Sequence, residues 1–171
     1  MNAFEKIIAI LVACILMFIY PIYSMSLKTN NVVETYVDDQ TANLVDTIRS
    51  TGKLTYDMYT MYTKMLTNTA NVYDISITHQ HAIYYPVYDD AGVATGDVEL
   101  KYENVYEGDI LDEIYNGSGE YKFTEGDYVS IKIKNTNRTM SDMIEEVILK
   151  NPQGSTPRIY VSHGGRIRDE T

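Results

Sequence analysis

Between Ile7 and Leu27 the chain runs for 21 residues without a charge, and most positions are Ile, Leu, Val, Ala, Met or aromatic. A helix needs roughly 20 such residues to cross the hydrocarbon core of a bilayer. A cleavable secretion signal has a shorter apolar core, roughly 7–15 residues, with small side chains at the cut. Here the core runs instead into the bulky Tyr20-Pro21-Ile22-Tyr23, and Ser24 and Ser26 offer only poor cut sites. Leu11-Val12-Ala13-Cys14 has the form of a lipid-attachment box, but such a box ends an apolar core, and this one continues well past Cys14. Residues 1–27 therefore read as a retained transmembrane anchor. Lys6 and the terminal amine, offset by Glu5, flank one end, and Lys28 followed by Glu34, Asp38 and Asp39 flanks the other. The basic counts are nearly balanced. A short N-terminal tail is easily left inside, so the expected topology is N-terminus inside and residues 28–171 outside.

What lies beyond the anchor is acidic. The chain has 24 acidic and 14 basic residues, and because Glu5 and Lys6 cancel, the remainder keeps the net charge of −10. That argues against nucleic acid as a partner, since phosphate neutralisation needs clustered Lys and Arg. It also argues against docking on anionic lipid. The single cysteine, Cys14, falls in the apolar run, so no disulfide is expected in the exposed part and its stability must come from a packed core. Tyrosine is abundant, 16 against 3 Phe and no Trp, which suits either an interaction surface or a wet β-rich core.

Periodicity then gives an outline. Val33, Val37, Thr41, Leu44, Val45 and Ile48 recur at spacings of three and four, an apolar stripe that continues the helix to about residue 49. "KTNNV" at Lys28–Val32 has low helix propensity and is a candidate hinge. Gly52 stands where a helix C-cap belongs. Thr55 is placed to cap a second helix reaching about Asn68, with Met58, Tyr59, Met61, Tyr62, Met65 and Leu66 on its apolar side; the two helices then form a hairpin. Strand alternation follows in "YDISITHQH", in Val98, Leu100 and Tyr102, and most clearly in "DYVSIKIKN", where Val129, Ile131 and Ile133 face inward. A third helix is expected at Met140–Lys150, capped by Thr139 and stopped by Pro152 and Gly154, with a last short strand at Ile159 and Val161. Residues 82–126 read as a partly looped insertion with a short helix around Asp109–Tyr115. The expected fold is α+β: a long transmembrane and amphipathic helix, a helical hairpin, and a small, mostly antiparallel sheet with one or two packed helices. Its parts are an anchor (1–27), an amphipathic extension (28–52) and a head (53–171).

Candidate chemistry is sparse. His79 and His81 form His-x-His, which on a strand points both rings to one face, a spacing that suits two zinc or copper ligands with His163 as a third. Against that, the pair sits at the expected strand end, where alternation meets solvent, and no carboxylate or cysteine is locally arranged to complete a site. No metal and no cofactor is therefore assigned. "DDAGVATGDVE" at Asp89–Glu99 lacks oxygen donors at the middle positions of a calcium loop. "HGGR" at His163–Arg166 follows a strand but leads into no helix, so it fails as a phosphate loop. There is no Gly-x-Ser-x-Gly elbow. No catalytic residue is identified, and an enzyme is not expected.

The organisation resembles a family. An apolar helix opened by a charged pair ("FEKIIAILVACILMF") leads into an amphipathic continuation and hairpin ("VDTIRSTGKLTYDMYTMYTKML"). A small head then begins with "YDISITH" and holds "FTEGDYVSIKIKN". This is similar to type IV pilin-like proteins, in particular the small anchored pseudopilins of tight-adherence (Tad) pili in Gram-positive bacteria. The resemblance implies a structural or assembly component of a surface appendage, whose partners are the membrane and other pilin-like subunits or assembly-platform proteins. It implies that Glu5 pairs with a neighbouring subunit's terminal amine; in a staggered bundle of such helices, charge alone makes Lys6 of a neighbour another candidate partner. Both a polymerising subunit and a relative that only assists assembly fit. A membrane-tethered sensor or binding module with an acidic, Tyr-rich head is the rival reading.

Overall fold

The computed structural model describes residues 3–89, 91–149 and 159–168. The expected helix end at Lys150, the breakers Pro152 and Gly154, and the terminal amine lie outside the described residues.

One helix, α1 (Ala3–Thr51), takes up the first 49 described residues and is about 74 Å long at 1.5 Å per residue. No glycine occurs before Gly52, and the only proline is Pro21. The low-propensity stretch at Lys28–Val32 stays helical, so it is not a break. Thr29 and Thr35 turn their hydroxyls back onto the carbonyls of Met25 and Asn31 (3.0 and 2.9 Å), which by itself does little to favour the helix. Contacts with the head hold the same stretch from outside. Asn30 Nδ2 donates to Ser141 Oγ (2.8 Å) and Thr139 Oγ1 (3.2 Å), and Tyr23 donates to Glu145 Oε1 (2.6 Å). The helix ends at Gly52, whose φ of +67° is the left-handed conformation of a C-cap, with its N–H on the carbonyl of Ile48 (2.9 Å).

Then come β1 (Lys53–Thr55) and α2 (Tyr56–Thr67), the latter capped by Thr55, whose side chain accepts from the Met58 N–H (3.3 Å). α2 folds back along α1 as the expected hairpin. Tyr59, Tyr62 and Leu66 are buried on its apolar side; Tyr62 shares a hydrogen bond with Thr41 of α1 (2.8 Å), and Tyr59 meets Tyr115 edge-on (6.3 Å). Met58, Met61 and Met65 line an apolar groove with Leu44 along the seam.

The head is built on a four-stranded antiparallel sheet in the order β3-β2-β5-β6, formed by β2 (Tyr73–Tyr88), β3 (Ala94–Tyr106), β5 (Tyr128–Asn135) and β6 (Tyr160–Arg166). Its inward face carries Ile77, Val129, Ile131, Ile133 and Val161, all buried, and α1 lies against it through Val37, Leu44, Val45 and Ile48. Lys132 and Lys134 on the other face are exposed, as the alternation predicts. α3 (Glu107–Asn116) adds Ile110 and Ile114 to the same core and contains the helix expected around Asp109–Tyr115. α4 (Met140–Leu149) begins with a reciprocal cap: Thr139 N–H donates to Asp142 Oδ2 (2.8 Å), and the Asp142 N–H returns to Thr139 Oγ1 (3.4 Å).

Two expectations need adjusting. Residues 82–126, read as a partly looped insertion, are not mainly loop but mostly strand and helix. β2 runs on to Tyr88, β3 returns from Ala94 in long pairing with it, and β4 (Glu120–Lys122) pairs with β1. Nor is the Val98–Tyr102 strand half-buried, since Val98, Leu100 and Tyr102 are all exposed. The reason is register. β5 pairs with β2 only as far as Gln80, so beyond that point the β2–β3 pair overhangs the core as a two-stranded arm with water on both faces. Its tip is set by Asp89, whose Oδ1 accepts from the N–H groups of Ala91 (2.9 Å) and Val93 (2.8 Å).

Candidate functional site

Two features stand apart from ordinary core packing. The first is the bare end of α1. From Ala3 to Ile22 nearly every position is exposed, including Phe4, Ile7, Ile10, Leu16 and Phe18. This stretch of roughly twenty residues spans about 30 Å, the thickness of a bilayer core, and from Ile7 onward it is apolar on all sides. A helix apolar all round is one that something else covers. The segment is long and apolar enough to cross a membrane. Glu5 sits in its first turn, where a carboxylate interacts favourably with the helix dipole, and Lys6 beside it is exposed. Cys14 is exposed on the same segment, remote in sequence from the histidines.

The second feature is a cluster built on Asp127. Residues Thr124–Asp127 form a tight turn closed by the Asp127 N–H on the carbonyl of Thr124 (3.1 Å), with Gly126 at a φ of +86°. The turn folds the aspartate side chain inward at the start of β5. Oδ2 accepts from the Thr124 N–H (2.7 Å) and from His79 Nε2 (2.8 Å). Oδ1 accepts from the Ala82 N–H (3.0 Å) and from His81 Nδ1 (2.8 Å). Burial alone pushes this carboxyl up, but the two backbone donors and His79 outweigh it and hold Asp127 below the usual carboxylate range.

His79 is buried in the middle of β2, not at a strand end. Its Nδ1 meets the Tyr121 hydroxyl (2.8 Å), and its ring stands edge-on to Phe123 with centroids 4.8 Å apart. Tyr121 reaches it because the β1–β4 pairing places Leu54 opposite Tyr121, and because the Phe123 N–H donates to the carbonyl of Gly52 (2.8 Å). The turn after α1 is thereby tied to the site's wall. His81, two residues on, keeps a side chain 39% exposed, while that of Asp127 is 1% exposed.

The strand parity of His79 and His81 thus holds, and both rings reach one carboxylate. His163 does not join them. It lies across β5 from β2, opposite Ile131, and its Nε2 bonds to Asp38 of α1 (2.7 Å). The "HGGR" glycines have a packing role. The Arg49 side chain crosses directly over Gly165, with its Nε donating to the carbonyl of Arg166 (3.0 Å), and Tyr128 lies against Gly164.

Asp127 and Tyr121 went unrecognised in the sequence because their partners lie 46–48 and 42 residues away. The available signal was an aspartate one residue before the strongest strand, preceded by a turn glycine. Chemically the cluster offers two imidazoles and one oriented carboxylate. Comparison of the chain with protein-family models, with curated proteins and with solved structures finds no match in any of the three.

Proposed function

We propose that this chain is a non-enzymatic structural or assembly component of a pilus-like surface appendage. In this reading α1 anchors it in the membrane, N-terminus inside and head outside, and packs against the α1 helices of other subunits. The observation that carries the reading is the unbroken course of α1 through Lys28–Val32. A hinge there would suit a head tethered loosely to its anchor. A stiff rod joined to its head suits side-by-side packing of many copies, in which the apolar surface from Phe4 to Ile22 passes from lipid to neighbouring helices. No reaction is assigned to the His79–Asp127 cluster, whose groups are engaged with one another.

Glu5 supplies the test. A charged side chain at the bilayer centre costs about 2.5–3.5 kcal/mol on insertion scales and much less at its edge. In a staggered bundle Glu5 of one copy enters the apolar layer of the next and is stabilised there by a neighbour's amine or Lys6. Glu5→Gln is expected to reduce sedimentable surface material and cross-linked ladders while leaving the circular dichroism of the chain unchanged. Undiminished ladders in the variant, or none in the wild type, refute the packing role. One observation favours the tethered binding module as the second reading: Tyr84, Tyr85, Tyr88 and Tyr102 are exposed on the overhanging arm, where a ligand would find large aromatic contact area. That module predicts a wild type without ladders.

A further inference from the structure

We infer that His79, His81 and Asp127 form a binding site for one divalent transition-metal ion of the zinc class. One ring nitrogen from each histidine and one carboxylate oxygen already lie within 4.8 Å of one another. Tetrahedral zinc with bonds of about 2.0–2.1 Å places its ligand atoms roughly 3.3 Å apart. The two rings now meet different oxygens of Asp127, each at 2.8 Å, so around one ligating oxygen the ring already on it opens slightly while the other ring shifts toward it, a movement that the half-exposed His81 can supply. Two imidazole nitrogens with one carboxylate oxygen suit zinc, copper or nickel, whereas calcium and magnesium take all-oxygen shells.

The surroundings resemble a ligand set more than a satisfied carboxylate. Asp127 already receives two backbone N–H bonds and one imidazole, so a second imidazole aimed at it from the open side exceeds what burial requires. Those backbone donors also fix the carboxylate's orientation. The Tyr121 hydroxyl fixes the ring of His79 through the nitrogen that faces away from Asp127, as outer partners of metal-bound histidines do.

The protons balance without loss. In the neutral rings the proton facing Asp127 moves to the other nitrogen, onto Nδ1 of His79 toward the Tyr121 oxygen and onto Nε2 of His81 toward solvent. His79 and Asp127 are sealed, so the ion enters beside His81 and completes its shell there with water. Bound, it staples the middle of β2 to the turn before β5, in a head that has no disulfide among its residues. This inference does not depend on the filament reading.

The full chain, purified in detergent without a polyhistidine tag and stripped with a chelator, is titrated with zinc chloride and then cobalt chloride. The expected result is one ion per chain, a raised thermal midpoint and visible cobalt bands of a low-coordinate N/O site. Affinity falls at least about tenfold in His81→Gln and is unchanged in His163→Gln. Zinc binding no tighter than magnesium binding, equal affinity in His81→Gln, or loss in His163→Gln would overturn the proposal. Should His81→Gln fail to fold, nitrogen-15 histidine spectra of the wild type decide. Zinc must move the ring signals of two histidines and leave that of His163, and any other pattern refutes the site.

Discussion

Asn30 lies in the middle of α1's weakest helical stretch, and its amide nitrogen sits 2.8 Å from the hydroxyl of Ser141, a fully buried residue in the first turn of α4. Local propensity argues for a hinge at that point, and a contact 111 residues away in the chain removes it. Asn30→Ala leaves Ser141 bonded to Thr139 (2.8 Å), so the loss is confined to the clasp. We expect about 1 kcal/mol of destabilisation in urea unfolding. Amide hydrogen exchange at residues 26–34 is expected to quicken, with the exchange of β5 unaltered.

The sheet's parity predicts a contrast between adjacent residues. Ile131 and Ile133 are buried and Lys132 between them is exposed. Truncating either isoleucine to alanine is expected to cost about 2–5 kcal/mol through lost burial and the cavity left behind. Lys132→Ala is expected to stay within about 0.5 kcal/mol. Denaturant midpoints of the three variants check this.

Alkaline pH is expected to destabilise the chain through the buried hydroxyls of the helical hairpin. Burial, aided by the charge of Glu107 and the neighbouring Tyr115, pushes the Tyr59 hydroxyl up to about 12 from 10.0. Tyr62 is raised as well, chiefly by burial and against the lowering effect of its Thr41 bond. Across the window from pH 10 to about 12 the folded chain keeps protons that the unfolded chain has released, so stability falls as pH rises. Tyr59→Phe is expected to flatten that part of the slope, read as urea midpoints across the window.

The two glycines of β6 are expected to differ. A methyl group at Gly164 meets the Val129 carbonyl oxygen and the Tyr128 ring, and the backbone oxygen cannot easily move aside. Gly164→Ala is expected to cost about 1–3 kcal/mol. A methyl at Gly165 meets only the outer part of the Arg49 side chain, which can swing away. Gly165→Ala is expected to cost less, and Arg49→Ala in the same chain to recover most of it, as a double-mutant cycle in urea would show.

Where a residue's environment follows from its near neighbours in the chain, the sequence is readable. The stripe from Val37 to Ile48, the cap at Thr55, the stop at Gly52 and the inward set Val129, Ile131 and Ile133 all came from spacing, because one face meets core and the other meets water. The arm of β2 and β3 is different. Alternation at Val98, Leu100 and Tyr102 marked part of β3, but both faces of the arm meet water, so it carries no burial there, and toward the tip Tyr, Asp and Gly resemble loop composition. Asn30 and Asp127 were opaque for another reason. Each is defined by a partner more than forty residues distant, and no local pattern encodes such a pairing.

The stripe of α1 has a mechanical corollary. Because Val37 through Ile48 are part of the head's core, the stem cannot swivel beneath the head; the two turn as a crank and its handle. Rotating the bare end by one residue's worth of helix, about 100°, carries the arm through the same arc. From Gln80 to Tyr88 that arm reaches roughly 25 Å beyond the last pairing with β5. The azimuth of the membrane-length segment therefore dictates which way the tyrosines of the arm point, and any torque applied at Phe4 is delivered at Tyr88.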